Sequence, residues 1–177
     1  RPIIISDDGV YNLGFVNQIE QILKRKNIFP CIYKKVLADP PESNIFEAVN
    51  LFKSFKSDGV IGLGGGSSMD VAKAVSYFSI NNIEIEKCYG VNKLKKKRTP
   101  LVQIPTTAGT GSEVTPIAIF TLKNQQKMGI VDPIFYADCA ILDAQLTLKL
   151  PKKITAYSGI DAMVHAIEAY TTKLKKT

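Results

Sequence analysis

The 177-residue sequence lacks several features that narrow the function of a protein at once. Its three cysteines, Cys31, Cys88 and Cys139, are odd in number, widely spaced and form no CxxC pair, so we expect buried or idle thiols in a reducing compartment. No apolar run approaches the roughly 20 residues of a membrane span, and the first residues lack the order of a signal peptide. We therefore expect a cytoplasmic protein without a membrane partner.

The chain carries a net charge of +7, which raises the question of nucleic acid binding. Much of the positive charge lies in two stretches, Lys93 to Arg98 and Lys173 to Lys176, and neither is interleaved with aromatic residues. We interpret both as solvated segments, with binding of an anionic ligand as the alternative. No nucleic acid partner is expected.

Short apolar runs alternate with helical patterns along most of the chain. The runs that predict strands begin at Ile3, Cys31, Gly59 and Leu101. The patterns that predict helices span about 13–27, 44–57 and 67–78. Because parallel neighbours need crossover connections, this alternation predicts an α/β fold, with a parallel sheet and helices on both faces. The alternation stops near Leu150-Pro151, where we predict a domain boundary.

Three consecutive glycines, Gly64 to Gly66, follow the third predicted strand, and we call residues 62–70 the glycine loop. Ser67 or Ser68 is placed to cap the next helix, whose free N–H groups favour an anion such as a pyrophosphate. The string is neither a GxGxxG fingerprint nor a Walker loop, so a purely structural turn stays open. Asp7, just past the first strand, is placed either for a ribose diol or as a turn residue or N-cap.

A second polar segment, residues 104–116, follows the fourth predicted strand, and we call it the hydroxyl loop. Its hydroxyl side chains are Thr106, Thr107, Thr110, Ser112 and Thr115. Loops past the carboxyl ends of parallel strands line the ligand crevice of open α/β sheets, so the two loops predict one crevice. A surface loop satisfied by its own side chains is the alternative.

The only histidine, His165, lies four residues after Asp161 in a segment with helical pattern. Both side chains therefore leave the same face of a helix, and a carboxylate and an imidazole placed in this way can bind a divalent transition metal. The flanking residues are small or apolar, which predicts a largely buried helix. The alternatives are a histidine hydrogen-bonded to the carboxylate one turn back, or a polar patch on a half-exposed helix.

Three strings resemble the iron-containing (type III) alcohol dehydrogenase family when taken together and in order: GGGSSMDVAKAV (64–75), IPTTAGTGSEVTP (104–116) and GIDAMVHAIEAYTT (159–172). The resemblance implies a Rossmann-like nucleotide-binding domain over residues 1–150. It also implies that residues 151–177 begin an all-helical metal-binding domain. The expected activity is hydride transfer between a small alcohol, aldehyde or ketone and NAD, in an intact enzyme that is a homodimer.

The resemblance also implies roles for individual residues. Asp7 meets the adenosine ribose, and the pyrophosphate lies along Gly65, Gly66, Ser67 and Asp70. The cofactor track continues along Thr106, Thr107, Thr110, Ser112 and Lys127. Asp161 and His165 are the first two ligands of a catalytic divalent metal, Fe(II) ahead of Zn(II), that acts as a Lewis acid on the substrate oxygen. Asp7 favours NAD over NADP, and Lys34 and Lys35 soften that preference.

The chain departs from the family pattern because it contains no histidine after His165, where the family supplies two more metal ligands. We therefore expect an N-terminal fragment that is inactive alone and exposes apolar surface. Two alternatives stay open. One is a related polyol dehydrogenase or maleylacetate reductase on the same scaffold, and the other is a non-catalytic nucleotide-binding module or inactive remnant.

Overall fold

The computed structural model describes residues 1–173. Within this range the strands are β1 Pro2–Ile5, β2 Cys31–Tyr33, β3 Gly59–Gly64, β4 Gly90–Val91, β5 Leu101–Pro105, β6 Ile117–Thr121, β7 Lys127–Val131 and β8 Cys139–Ala140. The α-helices are α1 Asp8–Asn12, α2 Phe15–Lys24, α3 Glu42–Phe55, α4 Gly66–Phe78 and α5 Lys152–Thr171. Short 3-10 helices lie at Ile85–Lys87, Ser112–Val114, Pro133–Phe135 and Ala144–Thr147.

The main sheet has the strand order β2-β1-β3-β5-β8, and every neighbouring pair is parallel. Helices α1 and α2 cover one face, and α3 and α4 cover the other. β1 is buried on both faces, because Ile3 and Ile5 pack with α3 and α4 while Ile4 packs with α1 and α2. The predicted parallel sheet with helices on both faces is confirmed.

The helix predicted near 13–27 is confirmed as α2, and a short helix that was not predicted, α1, precedes it. Asp7 accepts a hydrogen bond from the Val10 amide and begins α1 in a segment that the sequence pattern assigned to a turn. Gly14 then adopts a φ of +85°, a left-handed conformation that costs glycine little. This break lets α2 start at Phe15 and pack onto the sheet through Phe15 and Val16.

A second sheet, with the order β4-β7-β6, packs against α4 and was not predicted from the sequence. β6 and β7 form an antiparallel hairpin. The edge of β6 that faces away from β7 forms hydrogen bonds with other segments. The Thr121 amide donates to the carbonyl of Pro40, and the Thr121 hydroxyl donates to the carbonyl of Asp39. Asp70 and Lys73 of α4 contact the other half of this edge.

α5 begins at Lys152, next to the predicted boundary, and its described side chains are mostly exposed. Ile160, Met163 and Ile167 are each more than half exposed, so the expectation of a largely buried helix is wrong. The reason is that α5 approaches the rest of the described chain through its first two turns, at Ile154 and Ser158. The exposed apolar surface is the kind that the sequence analysis expected.

The first basic stretch contains exposed lysines, as predicted for a solvated loop, whereas Arg98 at its end pairs with Asp138. Residues 174–176 of the second stretch lie outside the described residues. Among residues 1–173, no helix combines the length and the apolar composition of a membrane span.

Candidate cofactor crevice

A crevice of about 920 Å³ lies at the carboxyl ends of four adjacent strands, β2, β1, β3 and β5. Segments that follow these strands line it, at 35–38, 7–10, 65–68 and 106–107. The remaining wall comes from Leu13 after α1, from the segment before α5 and from the first turn of α5, through Leu146, Lys149, Leu150, Pro151 and Ile154. The connections from β1 and β3 leave to opposite faces, which is where open α/β sheets bind ligands. Both predicted loops reach this one crevice.

The glycine loop brings the N-terminus of α4 to the crevice. Gly64 permits a close approach, because a Cβ added there would lie 2.7 Å from the Cβ of Ser68. Gly65 is the N-cap of α4 and makes no side-chain hydrogen bond, so the predicted cap by Ser67 or Ser68 is wrong. Both serines lie within the first turn instead. The first amides of α4 therefore lie at the crevice without a side-chain cap, an arrangement that suits an anion.

Asp7 joins the first strand to the glycine loop. Its Oδ1 accepts the Val10 amide at 3.0 Å, and its Oδ2 accepts the Ser68 hydroxyl at 3.1 Å. The alternative in which Asp7 is an N-cap is therefore confirmed. Asp7 also lines the crevice, so its carboxylate adds negative charge on the side of the crevice where α1 begins.

The hydroxyl loop supplies two threonines to the crevice. The Thr106 amide donates to the Gly64 carbonyl at 2.9 Å, which ties the two loops together. Thr107 Oγ1 is buried and has no hydrogen-bond partner among residues 1–173. A buried hydroxyl without a partner is unfavourable, and a polar group in the crevice would satisfy it. This hydroxyl and the α4 amides fit a cofactor that carries phosphates.

Of the ten predicted cofactor residues, six line the crevice: Asp7, Gly65, Gly66, Ser67, Thr106 and Thr107. The other four, Asp70, Thr110, Ser112 and Lys127, do not. The Asp70 carboxylate accepts the Ser112 hydroxyl at 2.7 Å, and burial raises the pKa of its carboxyl. Thr110 accepts the Ser112 amide and packs on Gly66. Lys127 lies on the β6–β7 hairpin, and its Nζ is 2.6 Å from Oδ1 of Asp39, an exposed residue between β2 and α3.

Several lysines near the crevice differ in their surroundings. Lys35 and Lys149 line it, whereas Lys34 lies 3.7 Å from the centre of the Tyr11 ring and 3.9 Å from Asp8 Oδ1.

Sequence reasoning assigned no role to Lys149 or to Lys73, which is fully buried in α4. The signal for Lys73 was available, because it is a lysine among apolar helix residues one turn after Asp70.

Asp161 and His165 lie one turn apart on α5, with Oδ1 and Nε2 separated by 3.8 Å. Both side chains are about half exposed, and neither lines the crevice. Among the described residues, no three His, Cys, Asp or Glu side chains group closely enough to hold a metal. The imidazole and carboxylate are donors that divalent transition metals accept, so the pair fits part of a coordination shell.

The fold is a Rossmann-like α/β fold with a crevice at the carboxyl ends of its parallel strands, and α5 follows it. A family model for iron-containing alcohol dehydrogenase matches residues 1–144. The chain belongs to the iron-containing alcohol dehydrogenase family.

Individual relatives agree with this assignment. The sulfoacetaldehyde reductase of Bilophila wadsworthia is 38% identical over 171 residues, covering 96% of this chain and 44% of that protein. The alcohol dehydrogenase from Oenococcus oeni superposes with a TM-score of 0.93 at 34% identity, covering 97% of this chain and 46% of that one. A sulfoacetaldehyde reductase from Bifidobacterium kashiwanohense, solved with NAD+, superposes with a TM-score of 0.90 at 29% identity. The match covers 99% of this chain and 47% of that one. The chain thus spans less than half the length of these relatives.

Proposed function

We propose that this protein transfers a hydride between a small alcohol, aldehyde or ketone and NAD, with a divalent metal as Lewis acid. The observation that carries the proposal is that the N-terminus of α4, which has no side-chain cap, and the Thr107 hydroxyl, which has no described partner, lie at the same crevice. The chain's membership of the family supports the same reading. The relative solved with NAD+ supports the choice of cofactor.

The residues of the crevice divide the work of binding. The first amides of α4 and the hydroxyl of Ser67 receive the pyrophosphate, helped by the positive end of the helix. Asp7 accepts a hydrogen bond from a ribose hydroxyl, and Thr107 holds a polar group farther along the crevice. Apolar side chains such as Val10 and Ile154 exclude water. A bound nicotinamide supplies the hydride acceptor or donor.

The metal belongs to the helical part of the protein, where we propose that residues 151–177 begin a domain distinct from residues 1–150. Asp161 and His165 would hold the metal, with Fe(II) ahead of Zn(II). A divalent metal at this place supplies a Lewis acid for the substrate oxygen. The pair itself contributes one oxygen and one nitrogen donor on a single helix face.

A nucleotide-binding module without catalysis is the second candidate. It is favoured by one observation, that the described residues bring two and not three metal donors together. Such a module requires the same crevice, so NADH binding supports both candidates. Turnover of an alcohol separates them.

Titration with NADH, followed by its fluorescence, tests the proposal. The chain has no tryptophan, so tryptophan emission does not interfere. We expect saturable binding that Gly66→Val weakens by roughly tenfold, or about 1.4 kcal/mol. The reason is that a Cβ at Gly66 would lie 3.3 Å from Thr110 Cγ2, at the start of α4. Gly129→Val is the matched control, because the nearest atom to a Cβ at Gly129 is 3.8 Å away, within the hairpin.

No binding of NADH by the unaltered chain at millimolar cofactor would contradict the proposal. Equal affinity in the chain and in Gly66→Val would contradict the placement of the cofactor on the glycine loop.

A further inference from the structure

Lys73 lies fully buried in the middle of α4, and its ammonium group binds segments outside that helix. Nζ donates to Ser112 Oγ at 2.7 Å and to the carbonyl of Ile117 at 2.6 Å. Longer contacts of 3.5 Å reach Thr115 Oγ1 and Asp70 Oδ1. Acceptors from the hydroxyl loop, β6 and α4 therefore converge on one cation.

Asp70 contacts the same region, but its carboxylate accepts hydrogen bonds whereas the Lys73 ammonium donates them. Its Oδ1 accepts the Ser112 hydroxyl at 2.7 Å, and its Oδ2 accepts the Ile119 amide at 2.9 Å. The Pro116 carbonyl bonds towards β7, so the backbone groups of Ile117 and Ile119 point away from β7. Two side chains one turn apart on α4 thus complete the hydrogen bonds of an edge strand.

This network is continuous with the crevice. The Ser112 amide donates to Thr110 Oγ1 at 3.3 Å, and Thr110 packs on Gly66. Nearer the crevice, Thr107 packs on Gly65, where a Cβ would lie 3.4 Å from Thr107 Cγ2. Holding Ser112 therefore holds the hydroxyl loop against the glycine loop.

We propose that Lys73 and Asp70 form a positioning pair that fixes the hydroxyl loop over the glycine loop and so sets the shape of the cofactor crevice. The inference rests on the proposed function, because it concerns the same crevice. Neither side chain lines the crevice, so both act through the loop and not by touching the cofactor.

Stability alone does not account for a buried pair of this kind. Replacing buried ion pairs by apolar side chains is often neutral or stabilising, whereas removing one partner leaves a costly buried charge. Burial lowers the pKa of the Lys73 ammonium, and the neighbouring Asp70 carboxylate opposes that shift. Fixing the relative position of two segments is a role that can offset the cost of desolvating such a pair.

The test compares Lys73→Met and the double variant Asp70→Asn/Lys73→Met with Arg98→Met as the matched control. The double variant removes both charges, which keeps the test possible if the single variant does not fold. Arg98 is also a largely buried cation that bonds to a carboxylate and to carbonyls, but it lies just before β5, at the other end of the sheet. Amide hydrogen exchange and NADH titration are measured for each.

We expect both Lys73 variants to raise exchange at residues 110–119 by tenfold or more, while exchange in β1 and β3 stays slow. NADH affinity should fall by roughly tenfold, or about 1.4 kcal/mol. Arg98→Met should change neither quantity at the crevice. Unchanged exchange at 110–119, or an equal effect in Arg98→Met, overturns the proposal. Failure of the unaltered chain to bind NADH contradicts the proposed function, and the exchange data then decide on the positioning pair.

Discussion

At the scale of single residues, Asp7 connects two helices and also lines the crevice. It caps α1 through the Val10 amide, accepts the Ser68 hydroxyl from α4, and lines the crevice. Because α1 and α4 leave the sheet on opposite faces, Asp7 lies at the point where the two connections separate. Its charge is therefore held in place by the fold.

Substituting Asp7 tests its influence on the choice between NADH and NADPH. Asn is an N-cap comparable to Asp, so Asp7→Asn keeps α1 while it removes the charge. A carboxylate repels the 2′-phosphate of NADPH, and we expect the preference for NADH to fall by about tenfold, or about 1.4 kcal/mol. The two dissociation constants are measured by fluorescence titration.

The matched control for that substitution is Asp143→Asn. Asp143 is also an N-cap, since its Oδ1 accepts the Gln145 amide at 2.9 Å, but it does not line the crevice. Its substitution should keep the cap and leave the preference nearly unchanged. An identical NADPH to NADH ratio in the unaltered chain and in Asp7→Asn would refute the assignment of Asp7.

Sequence reasoning at this scale identifies which residues are polar and near a loop, but not where their side chains point. Asp70 and Ser112 are in the motifs of the family, yet they contact each other and Lys73. Their direction depends on β6, a strand that the sequence pattern did not reveal. Thr107 was predicted at the crevice because its position in the loop directly follows β5, and the structure places it there.

At the scale of elements, the strands formed by buried apolar runs are the ones that the sequence predicts correctly. β1, β3 and β5 are short apolar runs bounded by polar or glycine residues, and α4 follows a glycine turn, so all four were predictable. The division of α1 from α2 depends on the cap at Asp7 and the left-handed Gly14, which helical periodicity does not show. The β6–β7 hairpin depends on contacts with distant residues, such as Thr121 with Pro40.

α5 carries Asp161 and His165, the proposed metal ligands, and their helical register gives a prediction. Adding Co²⁺ should broaden the NMR signals of the His165 ring, because imidazole and carboxylate donors one turn apart can share an ion. Asp161→Asn should reduce the broadening at a given Co²⁺ concentration. Asp143→Asn, which changes an exposed carboxylate outside α5, serves as the control.

Equal broadening in the unaltered chain and in Asp161→Asn would show that the two residues do not act together. The readout does not depend on turnover, so it tests the pair in the chain of 177 residues.

At the scale of the whole molecule, six of the ten predicted cofactor residues lie at one end of the main sheet. The parallel order β2-β1-β3-β5 brings the ends of four strands together, and the positive end of α4 points into the space between them. Lys35 and Lys149 add positive charge to the same space. The basic stretch before β5 lies at the opposite end of the sheet.

The hydroxyl loop contacts both the glycine loop and α5. Gly109 lies so close to α5 that a Cβ there would overlap the carbonyl of Ser158. The hydroxyl loop therefore contacts the glycine loop on one side and the helix with Asp161 and His165 on the other. A cofactor bound between the loops would lie beside the start of the helix that carries Asp161 and His165.

We propose the crevice at the carboxyl ends of β2, β1, β3 and β5 as the site that binds the nicotinamide dinucleotide. Titration of the 19.4 kDa chain with NAD+, followed by amide chemical shifts, tests this binding site. We predict the largest changes at residues 7–10, 65–68 and 106–107, with little change at 93–97. The largest changes at 93–97, or no change at millimolar NAD+, would show that the crevice is not the binding site.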